Sequence, residues 1–130
     1  MDLSQARSRL NQLKDELVNL IPLFLKRRKL IKGGVYENKT KCGKGNCKCK
    51  MEGKLHLTWR IYWSEGGKTK VKAIKKGKYY EYKELTANYK RFREARAKLV
   101  KIQKEMIKII DYIEKGLTKR NIKDFIKEVE

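Results

Sequence analysis

Long apolar runs are missing from this sequence. None approaches the roughly 18 consecutive apolar residues of a membrane span, so a transmembrane helix is excluded. The opening Met1-Asp2-Leu3-Ser4-Gln5 lacks the basic-then-apolar layout of a secretory signal, so export is not expected. Cysteine is scarce and odd in number, three in all, which argues against a disulfide scaffold. With a single histidine, His56, and no glycine-rich nucleotide loop, there is little from which to build acid–base or phosphoryl-transfer chemistry. Proline occurs once, at Pro22. Carboxylates are the last shortage: 15 Asp and Glu face 35 Lys and Arg, a net charge of +20 on 130 residues.

An excess of that size makes the chain repel itself unless anions neutralise it, and therefore points to an anionic partner. The excess is unevenly placed. Residues 1–30 carry 7 basic and 3 acidic side chains, residues 31–80 carry 14 and 3, and residues 81–130 carry 14 and 9. The middle segment also holds every cysteine, the histidine and both tryptophans. Its charge is a candidate binding surface, whereas the flanks read as solvated helix faces.

The first flank has Leu3, Ala6, Leu10, Leu13, Leu17 and Leu20 at alternating three- and four-residue steps, one stripe of a helix. Pro22 interrupts it. Asn19 is expected to cap a second helical segment, Leu23 to Ile31, that stops at Gly33-Gly34. The other flank repeats the pattern through Leu85, Tyr89, Phe92, Ala95, Leu99, Ile102, Met106, Ile109 and Ile113, a helix of about Tyr82 to Lys115. Thr118 is expected to cap a short last helix with Ile122, Phe125, Ile126 and Val129 turned inward. Two such stripes bury nothing alone and should pair as an antiparallel helical hairpin or across a dimer.

The middle alternates with period two. Leu55, Leu57, Trp59, Ile61 and Trp63 interleave with His56, Thr58, Arg60 and Tyr62, and after Ser64-Glu65-Gly66-Gly67 the series Thr69, Val71, Ala73 interleaves with Lys68, Lys70 and Lys72. A three-residue loop, Glu65 to Gly67, pairs Trp63 with Thr69, Ile61 with Val71 and Trp59 with Ala73, which gathers His56, Thr58, Arg60, Tyr62, Lys68, Lys70 and Lys72 on one face. Val35 to Lys41 is expected to add a third strand. The resulting fold class is α+β: two long helices flanking a small β module, plus a short C-terminal helix. Its regions are residues 1–32 (helical), 33–80 (the basic β module) and 81–130 (helical), within one compact domain.

Cys42, Cys47, Cys49 and His56 are spaced C-x4-C-x-C-x6-H, so every cysteine and the only histidine of the chain fall in one short window. Three thiolates and one imidazole form a closed tetrahedral set for structural Zn²⁺, with no position left open for catalysis. The intervening glycines let the backbone wrap closely around an ion. Free thiols in a reducing cytosol, with His56 a surface imidazole, are the alternative. Lys41, Lys44, Lys48 and Lys50 have two readings: they offset the negative charge of a thiolate cluster, or they hold phosphates.

Residues 41–70, KCGKGNCKCKMEGKLHLTWRIYWSEGGKTK, resemble a family of bacterial and archaeal proteins of unknown function. The family signature runs Cys-Gly-Lys-Pro-x-Cys-x-Cys, then His-Gly-Pro-Tyr, an aromatic strand and Gly-Gly-Lys-Thr-Arg. The flanks are similar too, over about residues 15–110, including the basic stretch within Leu23 to Leu30 and Tyr89 and Arg91 on the trailing helix. Gly45-Asn46 stands in the cysteine loop where the family has proline, and Leu57-Thr58-Trp59 follows the histidine where the family has Gly-Pro-Tyr. The resemblance implies a metal site at Cys42, Cys47, Cys49 and His56 and a loose association with mobile elements; it implies no activity.

The expectation from these residues is a non-catalytic nucleic-acid-binding protein, cytoplasmic and nucleoid- or RNA-associated, with no small-molecule substrate. Arg60, Lys68, Lys70 and Lys72 contact phosphates, Lys75, Lys76 and Lys78 extend the track, and Tyr62, Tyr79 or Tyr80 stack on bases if the ligand is single-stranded. Nothing resembles a base-reading helix, so affinity should exceed sequence specificity. The alternative is an interaction module that dimerises through its long helices, with zinc purely structural.

Overall fold

A computed structural model describes residues 1–40, 56–118 and 121–130. The elements in chain order are α1 (Leu3–Leu20), α2 (Pro22–Leu25), β1 (Gly34–Thr40), β2 (His56–Glu65), β3 (Lys68–Ala73), α3 (Tyr79–Leu117) and α4 (Ile122–Val129), a mixed α+β fold. No helix among the described residues is long and apolar enough to cross a membrane. The chain divides into two compact units, one of residues 1–26 with 94–130 and one of residues 27–93.

In the first unit, α1 starts at a reciprocal cap. The Asp2 carboxylate accepts from the Gln5 backbone N–H at 2.7 Å, and the Gln5 side-chain oxygen accepts from the Asp2 N–H at 3.0 Å, so two otherwise unpaired donors are satisfied. Ala6, Leu13 and Leu20 of α1 and Ala95, Ile102 and Ile109 of α3 form the buried core. Leu10, Leu17, Phe24, Leu99, Met106 and Ile113 pack beside it. Both stripes step by four and three alternately, a 3.5-residue average that keeps a long seam facing its partner. The direction is antiparallel. Arg9 meets Glu105, the Tyr112 hydroxyl donates to the Met1 carbonyl, and Gly116 lies so near Leu3 that a Cβ would stand 2.7 Å from its Cδ2.

Pro22 ends α1 without reversing the chain. Ile21 keeps helical angles (φ −53°, ψ −41°) and donates to Leu17 at 3.0 Å, and Pro22 occupies the first position of α2, where its missing N–H costs nothing. The expected helix Leu23 to Ile31 does not form. α2 ends at Leu25, and Ile21 stands at its N-cap position in place of Asn19. Lys26 is extended (ψ 132°), at the head of four consecutive cations, Lys26 to Lys29. The stretch that follows is held within the second unit: the Lys29 carbonyl accepts from Asn88 Nδ2 at 3.4 Å and the Ile31 N–H donates to the Leu85 carbonyl at 3.1 Å. Tertiary hydrogen bonds have replaced helical ones.

The last helix also departs from expectation. Asn121, not Thr118, caps α4, accepting from the Asp124 N–H at 3.4 Å, while the Thr118 hydroxyl donates back to the Glu114 carbonyl at 2.6 Å. Ile122, Phe125, Ile126 and Val129 are exposed, not turned inward.

The second unit contains an antiparallel sheet of order β1-β2-β3, with the expected third strand present as β1. Within it, Trp59 of β2 stacks on Tyr79 of α3, ring centroids 3.8 Å apart and 25° from parallel, and Ile61 is buried.

Candidate nucleic-acid interface

The surface is set by the turn between β2 and β3. Gly66 and Gly67 have φ of +59° and +78°, the left-handed pair that a two-residue primed hairpin turn needs and that glycine adopts without steric cost. The loop is therefore two residues long, not three. Glu65 pairs with Lys68, Trp63 with Lys70, Tyr62 with Val71, Ile61 with Lys72 and Arg60 with Ala73.

That register overturns the expected grouping of side chains. Directly opposed residues share a face. Lys68, Lys70 and Lys72 thus lie with Trp63 and Ile61, while Arg60 and Tyr62 lie on the other face with Thr69, Val71 and Ala73. The single face expected to hold Arg60, Tyr62 and the three lysines does not form. Alternation alone favours the register that keeps lysines away from apolar neighbours. The cost of mixing them is small here, because every residue of β3 is exposed and an edge-strand lysine can keep its ammonium in water.

β1 extends both faces. Val35, Glu37 and Lys39 oppose Ile61, Trp59 and Leu57, while Gly34, Tyr36, Asn38 and Thr40 oppose Tyr62, Arg60, Thr58 and His56. The lysine face thus also carries Glu37 and Glu65. Glu37 lies 4.0 Å from the Lys39 ammonium, and Glu65 accepts from the Trp63 indole at 3.2 Å. On the opposite face, the Thr58 hydroxyl donates to the Asn38 carbonyl at 3.2 Å, and the rings of Tyr36 and Tyr62 lie 5.8 Å apart at 49°. Arg60 holds its Nε buried, with no hydrogen-bond partner among the described residues.

Beyond β3 the basic track continues. Lys75, Lys76 and Lys78 surround a turn completed by Gly77 at φ +89°, with the Lys78 N–H donating to the Lys75 carbonyl at 3.0 Å. Lys72, Lys75 and Lys78 line a cleft of about 360 Å³ with Tyr82 and Leu85, and the Lys78 ammonium lies 3.6 Å from Glu81 at its rim. Of the aromatics expected to stack on bases, Tyr79 is engaged by Trp59, and Tyr80 is largely exposed. Cys42, Cys47 and Cys49, with Lys41, Lys44, Lys48 and Lys50, lie outside the described residues. His56 lies within them, exposed at the start of β2 and opposite Thr40, so the two ends of the cysteine segment are neighbours in the sheet.

Two further features are not apparent from the sequence. Tyr36 is legible as an aromatic in a period-two stretch, but its partner across the sheet is not. The Lys26 to Lys29 run reads as the end of a helix, and nothing local marks the buried Asn88 that holds the Lys29 carbonyl while accepting from Arg91 at 3.1 Å.

Residues 3–85 match the family described as a domain of unknown function (DUF6788). The chain belongs to that family. The match takes in α1, α2, the cysteine segment, the whole sheet and the first residues of α3. No curated protein and no solved structure matches the chain. For this DUF6788 member, function has to be read from its own residues.

Proposed function

We propose that the chain is a non-catalytic nucleic-acid-binding protein that grips mainly the phosphate backbone, with low sequence specificity. The observation that carries this reading is the lysine track on an exposed edge: Lys68, Lys70 and Lys72 on one face of β3, continued by Lys75, Lys76 and Lys78. Six cations along so short a stretch match a polyanion with regularly repeated charge. Lysines also guard a sheet edge against pairing with another strand, but that role does not extend past the end of β3. Arg60 belongs to the opposite face of the same sheet.

In this reading Cys42, Cys47, Cys49 and His56 hold one structural Zn²⁺. The donor set is that of a closed tetrahedral site, and the Thr40–His56 pairing brings together the ends of the segment that carries the thiolates. The ion would staple the tip of the sheet and supply no chemistry. Lys41, Lys44, Lys48 and Lys50 then flank it and hold further phosphates.

The test is fluorescence anisotropy with labelled oligonucleotides over a salt series. Affinity is expected to fall log-linearly with salt. Charge reversal at Lys68, Lys70 and Lys72 should lower the slope by about one for each phosphate no longer neutralised, alike for unrelated sequences. Affinity that ignores salt overturns the proposal. Protein purified without added metal is expected to carry one zinc per chain.

A second reading, a helical interaction or dimerisation module, is favoured by one observation: the exposed stripe of Ile122, Phe125, Ile126 and Val129 on α4. It calls for a salt-insensitive dimer in sedimentation, with little nucleic acid retained.

A further inference from the structure

The sheet has a second surface that the lysine track does not use. On it Tyr36, Arg60 and Tyr62 sit side by side. Tyr36 and Arg60 are directly opposed across β1 and β2, and Tyr62 follows two residues beyond Arg60 on the same face. Tyr36 is 37% exposed, Tyr62 43% and Val71 46%, so this face meets solvent with aromatic and apolar surface. Among the described strand residues it carries no carboxylate, because Glu37 and Glu65 both belong to the lysine face. The Arg60 Nε–H is held inside without a partner among the described residues, at the strand position between Thr58 and Tyr62 on this face.

We infer that this face is a stacking platform for unpaired nucleobases, so that the protein's preferred ligand is single-stranded nucleic acid. This deepens the nucleic-acid reading above and rests on it. The rings of Tyr36 and Tyr62 each offer a π-surface, and every base has one, so stacking adds affinity without reading sequence. A guanidinium beside two aromatic rings adds cation–π attraction or a hold on phosphate. With no carboxylate on the face, a phosphate chain meets no repulsion there. A duplex keeps its bases stacked on each other and offers the rings only its backbone. An unpaired strand can present bases to the tyrosines while its phosphates reach the lysines of the β3 edge.

The experiment measures binding of the full chain to a labelled twelve-residue oligothymidylate, to oligouridylate and to a duplex of equal length. Tyr36→Leu and Tyr62→Leu are compared with Tyr36→Phe and Tyr62→Phe. Each leucine variant is expected to weaken single-strand binding about five- to 150-fold, the span corresponding to one base stack removed, with duplex binding and salt slope unchanged. The phenylalanine variants, which keep the ring, are expected to bind within about twofold of the parent. Tyr36→Leu is the decisive variant, because the Tyr62 ring also covers Gly34 and its loss could disturb the fold. If Tyr36→Leu binds single strands like the parent while binding stays salt-dependent, the platform is overturned and the phosphate-binding reading stands. If neither single strand nor duplex binds, the underlying reading fails and the platform with it.

Discussion

Tyr62 faces Gly34 across the β1–β2 pair, and its ring lies over the glycine where a side chain would otherwise stand. A Cβ at Gly34 would overlap the far edge of that ring, and one at Gly33 would overlap the Tyr62 carbonyl oxygen. The Gly33-Gly34 pair is thus a site of close approach at the start of a strand, and the tyrosine fills the surface that the glycine leaves bare.

The two glycines should respond differently to alanine. A ring can rotate away, but a backbone oxygen in a sheet cannot. Gly33→Ala is expected to cost about 1–3 kcal/mol, and Gly34→Ala less, because the Tyr62 ring is displaced instead. Chemical denaturation of both variants checks the order. Equal losses would mean that the ring is as fixed as the backbone.

The β2–β3 turn makes a second prediction. Nothing stands within 4 Å of a Cβ at Gly66 or Gly67, so only backbone conformation limits substitution there. Gly66→Asn is expected to be neutral within about 0.5 kcal/mol, since asparagine tolerates the left-handed region, whereas Gly66→Val should cost about 1–2 kcal/mol. Thermal denaturation distinguishes the two. Tolerance of valine would contradict the two-residue turn.

Packing in the helical unit gives the third. Leu13 is fully buried, and Leu13→Ala is expected to cost about 2–5 kcal/mol through the apolar burial removed and the cavity left behind. Ile107, on α3 but 59% exposed, should change stability by no more than about 0.5 kcal/mol on replacement by alanine. Denaturation midpoints at constant slope report the contrast.

The fourth concerns pH. Arg9 Nε donates to Glu105 at 2.8 Å and a terminal guanidinium nitrogen donates to its second oxygen at 3.0 Å, a bidentate pair on α1 and α3. That hydrogen bonding holds the Glu105 carboxyl below its ordinary value against a smaller opposing desolvation, with the charges of Arg9 and Lys108 acting the same way. The folded state therefore favours the ionised form. Its stabilisation is complete above the ordinary glutamate range and fades as pH falls through the lowered folded value. The stability gap between the parent and Glu105→Gln should accordingly be constant near neutrality and close in acid. A gap of the same size in acid as near neutrality would show that the pair contributes nothing through charge.

Much of the fold is legible from side-chain period alone. The stripe from Leu3 to Leu20 and its counterpart from Leu85 to Ile113 need only the 3.6-residue turn to place them on one face, and their parts from Ala6 to Leu20 and from Ala95 to Ile113 pack into one core. The three strands follow from the two-residue alternation of a pleated chain. The candidate site is less legible. Its residue types and basic charge are visible in the primary sequence, but which of them share a surface depends on a register that differs by one residue between two plausible loops.

Local pattern and composition were therefore enough to place the two long helices, the three strands and the distribution of charge, because each depends on neighbours a few residues away. Folding in three dimensions settled the rest. Left-handed Gly66 and Gly67 shortened the hairpin loop and put Arg60 on the face opposite Lys68, Lys70 and Lys72. Residues 29–31, expected to be helical, are bonded instead to Asn88 and Leu85. The stripe of α4 stayed exposed because amphipathic spacing says which side chains share a face, and only packing determines whether anything covers it.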